Sequence, residues 1–347
     1  MSHYQKPAEL YEGLRLHQNE NTGGCSPRVL EALARMRPDQ IGFYPPYAAA
    51  TDAVASYLNA PADRVTLTNG LDEGIMALAV AYLRPSVGGP VPEAVVPEPA
   101  FEIFRVDTAV AGGRLVQVMP RADFQLPLDA VLAAITSHTR VVFLTNPNNP
   151  TGVSMSLDAI RTIARAVPAG AVVFVDEAYA EFAGRSFIPD LPAFPNVIVG
   201  RTFSKAFGLA GLRIGCLVGA PDTMDPIRRA VPVYSVNIAA TVAVQAALED
   251  VQYLQHYLRQ VAESKSLLYD ACDRLGLGYW KSDANFVLVC AGDRTDALVH
   301  GAFARGVYIR DRSTEPGCAG CIRIGAGIVE HTRRCIAVME DVLCAAP

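Results

Sequence analysis

The chain has 347 residues, of which 51% are hydrophobic and 19% charged, and its formal net charge is −5. That is ample length for a large core, more in keeping with two lobes than one, and too apolar for a disordered chain. The mild acidity excludes a general binder of nucleic acid or anionic membrane, and no run approaches the ~20 apolar residues of a membrane span.

Short β-branched runs alternate with amphipathic stretches from the first third of the chain onward. Strands are expected at Val65–Thr68, Ala94–Val96, Leu115–Val118, Val141–Thr145, Ala171–Val175, Asn196–Val199 and Ile214–Val218. Several are apolar throughout, as strands buried on both faces tend to be. Helical patterns at Gly74–Leu83 and Leu157–Ala166 fall between them. The alternation predicts a doubly wound α/β sheet, whose ligands sit beyond the carboxyl ends of the strands. Pro85–Pro92 reads as a surface loop. From about Asn237 the pattern changes to one long helical stretch ending near Leu275. A smaller α+β unit follows: strand Phe286–Val289, helix Thr295–Ala304, strands Val307–Arg310 and Ile322–Ile324, and a helix near Glu330–Leu343. The expected division is an N-terminal segment, 1–40, packing with the small domain, a large domain at 41–236 and a small one at 237–347.

Met1-Ser-His-Tyr-Gln-Lys-Pro7 lacks the charged head and apolar run of a signal peptide. The eight cysteines are scattered and read as reduced core thiols of a cytoplasmic protein. Cys318-x-x-Cys321 has no second pair, and Cys321 opens an apolar run instead of a helix, so neither zinc nor a redox role is expected of it.

The chemistry gathers where strands end. Arg201-Thr-Phe-Ser-Lys205 follows an apolar run, and Arg213 lies eight positions beyond the lysine. An amine aimed from a rigid strand end can form a Schiff base with a carbonyl, while Ser204 and Arg213 suit a phosphate. One aldehyde cofactor needs both: pyridoxal phosphate. Asp176 ends another strand and could pair with a protonated pyridine nitrogen; it could equally cap a helix. Asn149, in Asn146-Pro-Asn-Asn-Pro-Thr-Gly152, could donate to a phenolic oxygen or simply form a turn. Gly70-Leu-Asp-Glu73 opens a helix whose free N–H groups suit phosphate. Phe101 could stack on a pyridine ring or belong to the core. Arg323, inside an apolar strand, needs an anion, either a substrate or an internal partner. Five strand ends thus carry helix-start donors, an aromatic, an Asn, an Asp-x-x-Tyr and a Ser-Lys.

On these motifs the chain resembles the fold-type I pyridoxal-phosphate enzymes, and among them the histidinol-phosphate aminotransferase family. Asn19-Glu-Asn21, Tyr44-Pro45, Gly70-x-Asp-Glu73, Asn146–Gly152, Asp176-Glu-Ala-Tyr179, Thr202-Phe-Ser-Lys205 through Arg213, Arg310-Asp311 and Ile322-Arg-Ile324 carry the resemblance. It implies a mostly parallel seven-stranded sheet in the large domain, with a smaller α+β domain. It implies Lys205 as Schiff-base lysine and proton shuttle, Asp176 on the ring nitrogen, Tyr179 and Asn149 on the phenolic oxygen, and Phe101 on the ring. Gly70, Leu71, Asp72, Thr202, Ser204 and Arg213 would hold the phosphate, with Tyr44 of a second subunit in a homodimer. Arg323, Arg310 and Asn19 would bind the substrate's anionic end. The family's usual Asn-Glu-Asn-Pro is Asn-Glu-Asn-Thr here, Leu71 replaces a small residue, and Phe101 stands where the family often has Tyr. The implied reaction is amino transfer from L-histidinol phosphate to 2-oxoglutarate. The alternatives on the same scaffold are an aromatic amino-acid aminotransferase, a lyase such as an O-phosphothreonine decarboxylase, and a non-enzymatic cofactor-sensing domain.

Overall fold

The computed structural model describes residues 12–344. The leading peptide Met1–Pro7 and the start of the N-terminal segment lie outside them. Thirteen strands occur among the described residues. Leu14–Arg15 (β1) is the first of them. Val65–Thr68 (β2), Glu93–Pro97 (β3), Arg114–Val118 (β4), Thr139–Thr145 (β5), Val172–Asp176 (β6), Val197–Thr202 (β7) and Gly215–Val218 (β8) follow. The rest are Gly278–Tyr279 (β9), Phe286–Cys290 (β10), Val307–Tyr308 (β11), Arg310–Asp311 (β12) and Cys321–Gly325 (β13).

β2 to β8 form one seven-stranded sheet in the order β2-β8-β7-β6-β5-β3-β4, and only β8 runs antiparallel to its neighbours. All seven are strands the sequence predicted, within a few residues at each end. The central strands β5, β6 and β7 are buried at almost every position, because both faces of the sheet are covered, and their inner residues are apolar. Their two-residue period sorts the side chains. Val142, Leu144, Val173, Val175, Val197 and Val199 enter one core with Val54 and Val244. Val141, Phe143, Val172, Phe174 and Ile198 enter the other, under helix Gly70–Leu83.

The four-stranded sheet β12-β13-β10-β9 belongs to a separate core with helices Val251–Leu275, Thr295–Ala304 and Val329–Cys344. β1 pairs in parallel with β11, so Leu14 and Leu16 join that core, whereas Val29 of helix Pro27–Ala34 packs in the first. The division at residue 237 is a proposal on which these cores bear. Helix Ile238–Glu249 contributes Ala240, Ala243 and Val244 to the large-sheet core, and the next helix contributes Tyr257, Val261 and Leu268 to the small one.

Two expected elements are each split. The long helical stretch breaks at Asp250, whose carboxylate accepts from the backbone N–H of Tyr253 at 3.2 Å and from the hydroxyl of Ser26. A side chain that caps one helix from within an apolar pattern has no signal in the periodicity. The strand expected at Val307–Arg310 becomes β11 and β12, paired with different sheets on either side of Ile309.

Candidate active site

A cavity of about 350 Å³ lies beyond the carboxyl ends of β6 and β7, between the large sheet and the β12–β13 edge. The ends of β2, β3, β5, β6 and β7 each deliver one part of its wall. β2 runs into helix Gly70–Leu83, which places Leu71 and Asp72. Phe101 follows β3, Asn149 follows β5, Asp176 ends β6, Tyr179 lies one turn on, and Thr202, Ser204 and Lys205 close β7. Arg213, Arg310, Arg323 and Asn19 complete the set. Fourteen of the fifteen candidate residues thus converge: thirteen line the cavity, and Gly70 lies directly behind Arg213. Tyr44 does not. It is 75% exposed and stacks on Tyr234 with ring centroids 4.2 Å apart.

The Lys205 amine donates to the main-chain oxygen of Gln18 at 3.0 Å. Burial, and then the positive charge of Arg323, lowers its pKa to about 8, so an appreciable fraction is neutral near pH 7. Asp176 is pushed the other way, up to about 7, chiefly by burial. Its Oδ1 accepts one backbone hydrogen bond, from Ala178 at 2.9 Å. A buried carboxylate with so little support is stabilised by a cation placed against it. The Tyr179 hydroxyl accepts from Asn19 Nδ2 at 2.9 Å, and burial raises its pKa to about 12, so it stays a phenol and a donor. Asn19 holds a left-handed backbone, φ +56°, and its Oδ1 is buried without a hydrogen-bond partner.

The phosphate end is shaped by glycine and arginine. Gly70 has φ +75°, and a Cβ there would come within 2.4 Å of Arg213 Nη2. The gap keeps the helix-start N–H groups and the guanidinium side by side. Arg213 pairs with Asp72 at 3.0 Å, with both side chains roughly half exposed. A pair so exposed is worth only ~0–1 kcal/mol, so a phosphate can draw the arginine away at little cost. At the other end, Arg323 is buried and donates to Asn149 Oδ1 and to the main-chain oxygen of His17 at 2.8 Å. With Oδ1 engaged, the Asn149 amide nitrogen is the atom left to donate.

These donors and acceptors fit pyridoxal phosphate. A poised amine, a buried carboxyl lacking a cation, a phenol with an amide beside it, and a cradle of backbone N–H and guanidinium match its aldehyde, pyridine nitrogen, phenolic oxygen and phosphate in turn. The cavity is also lined by His17, Gln18, Glu102 and Arg312, which belong to none of the motifs, and by Glu20, the middle residue of Asn19-Glu-Asn21. Burial, with Arg310, Arg15 and Arg323 around it, lowers the His17 pKa to about 4, so it is neutral at physiological pH. Two of these left a trace in the sequence: His17 sits two residues before Asn19, and Arg312 sits two after Arg310.

The chain belongs to the class I and II aminotransferases, whose family model matches residues 11–337. Its relatives narrow that to the histidinol-phosphate aminotransferases. It is 36% identical over 346 residues to the histidinol-phosphate aminotransferase of Symbiobacterium thermophilum, covering 98% of this chain and 93% of that one. It is 37% identical over 343 residues to histidinol-phosphate aminotransferase 1 of Cupriavidus pinatubonensis, covering 95% and 88%. The crystal structure of histidinol-phosphate aminotransferase from Sinorhizobium meliloti in complex with pyridoxal-5'-phosphate superposes with a TM-score of 0.87 at 27% identity, covering 96% and 91%. The protein is a pyridoxal-phosphate-dependent aminotransferase of fold type I.

Proposed function

We propose that the protein transfers the amino group of L-histidinol phosphate to 2-oxoglutarate, a step of histidine biosynthesis, as a cytoplasmic homodimer. The observation that carries this reading is the presence of Arg310 and Arg323 in the same cavity as the poised Lys205, in a chain whose full-length relatives bear that name.

When bound, pyridoxal phosphate supplies an electrophilic carbon and a ring that accepts electron density from the donor's Cα. The protein does the rest. Lys205 Nζ would hold the cofactor's aldehyde carbon and, when free, would take a proton from the substrate Cα and give one back one atom away. Asp176 would keep a proton on the ring nitrogen, a role that would offset the cost of its own burial. Tyr179 and Asn149 would hydrogen-bond the phenolic oxygen, and Phe101 would stack on the ring. Leu71 and Asp72 backbone N–H groups, with Thr202, Ser204 and Arg213, would fix the phosphate, and Gly70 leaves the Arg213 guanidinium room beside them. Arg323 and Arg310, with Asn19, take the substrate's anionic end. One guanidinium fork suits either a phosphate or a carboxylate, so both substrates of a ping-pong cycle can use it.

Tyr44 is proposed to reach the cofactor phosphate of a partner subunit. Its support is exposure: Ile41, Phe43, Tyr44, Val233 and Tyr234 form an apolar surface that a second copy would cover. The reading is tested by single-turnover titrations with histidinol phosphate, phenylalanine and phosphothreonine, following the bound-cofactor absorbance and keto product. Histidinol phosphate should convert fastest by at least an order of magnitude. Faster conversion of phenylalanine, or release of carbon dioxide without uptake of a keto acid, would replace the reading with one of its rivals.

A further inference from the structure

The anion end of the cavity holds one arginine more than the mechanism uses. β12 is Arg310-Asp311, and Arg312 comes next; in extended chain, residues two apart face the same side. Both arginines therefore reach the cavity, beside Arg323 on the neighbouring strand β13. Arg312 is held from behind. Its Nη2 lies 3.0 Å from Glu315 Oε1, and both side chains are only 12% exposed. Glu315 Oε2 lies 3.6 Å from Arg105, and Arg105 lies 3.9 Å from Glu98. Glu98 in turn accepts from the backbone of Ala100 at 3.0 Å, one residue before Phe101. The carboxylate behind Arg312 is thus rooted in the loop that carries the ring-stacking residue.

A guanidinium has five N–H donors. Glu315 engages Nη2, and Nε of Arg312 is buried with no hydrogen-bond partner. A buried charged donor without an acceptor is costly to keep, and the adjoining cavity is where an acceptor can arrive. A carboxylate has two oxygens, which the forks of Arg310 and Arg323 exhaust. A phosphate monoester has three terminal oxygens and nearly twice the charge.

We propose that Arg312 is a specificity-determining residue, the third arginine that makes this site prefer a phosphate monoester to a carboxylate at the far end of the amino compound. The proposal rests on the phosphorylated-donor reading above. Glu315 is the positioning residue that holds the guanidinium at the wall. The 2-oxo acid, a carboxylate at the same subsite, does not need Arg312, so the two half-reactions respond differently to its loss.

The test compares wild type with R312Q and with R312Q/E315Q, the second variant removing the carboxylate that the first would strand. Calorimetry measures the dissociation constants of imidazolylpropyl phosphate, which lacks the reacting amine, and of its parent alcohol on the cofactor-loaded enzyme. Steady-state kinetics gives KM for histidinol phosphate and 2-oxoglutarate. Both variants should bind the phosphate ester roughly 10-fold or more weakly, while the alcohol and the KM for 2-oxoglutarate stay at wild-type values. Equal weakening of ester and alcohol, or wild-type discrimination in both variants, would overturn the proposal and leave Arg312–Glu315 a structural ion pair. If wild type itself binds ester and alcohol alike, the donor reading fails first, and this proposal with it.

Discussion

Lys205 and Asp176 are both driven toward neutrality chiefly by their burial away from water, the amine by losing its proton and the carboxyl by keeping one. Their effects on the cofactor-free protein therefore have opposite signs. Asp176 titrates near 7 in the fold and at its ordinary 3.8 when unfolded, so the stability it contributes is full below pH 4 and is lost as the pH rises through 7. D176N removes that dependence. Its urea midpoint, measured against cofactor-free wild type, should gain steadily between pH 4 and pH 8; a constant difference would show that the carboxyl is not perturbed. Lys205 titrates near 8 instead of 10.5, and its contribution is lost as the pH falls through 8. K205A should abolish the absorbance of covalently held cofactor and all turnover, while its unfolding midpoint gains on wild type as the pH is lowered from 10 to 7. Turnover at the wild-type rate would remove the lysine from its assigned place.

At the scale of the element, the site depends on how one helix begins. Helix Gly70–Leu83 starts directly at the end of β2, and Gly70 is left-handed there with the Arg213 guanidinium where a side chain would go. G70A pushes the guanidinium away and strains the backbone, at a cost of about 1 kcal/mol or more. We expect cofactor affinity to fall at least tenfold, with a smaller change in binding of the substrate analogue at the arginine end. Equilibrium dialysis of pyridoxal phosphate against G70A reads this directly, and unchanged affinity would mean that the phosphate sits elsewhere. The break at Asp250 shows the same economy. A single capping carboxylate divides one apolar pattern into two helices serving different cores.

For the whole molecule, the exposed stretch around Tyr44 is the outstanding feature. Soluble chains seldom leave Phe43, Tyr44 and Tyr234 mostly exposed and close together without a covering partner. We expect a dimer by sedimentation equilibrium. Tyr44→Phe should leave that dimer intact, because the ring remains, yet release the cofactor severalfold faster on dilution, because the hydroxyl is gone. A monomeric wild type at micromolar concentration would end the cross-subunit assignment of Tyr44.

The amino-acid sequence by itself determined the seven strands and the chemistry placed at their ends. Apolar β-branched runs such as Val172–Val175 can be stable only when buried on both faces, and the polar residue that follows each run has nowhere to go but the carboxyl edge of the sheet. Local periodicity and turn chemistry carry that much without any knowledge of distant contacts. The folded chain alone decided the rest. His17 and Arg312 join the cavity through approaches of segments far apart in sequence, β1 onto β11 and β12 onto β13, and no local pattern encodes such pairings. The pKa shifts belong to the same class, because desolvation is a property of the enclosed space and not of the residue.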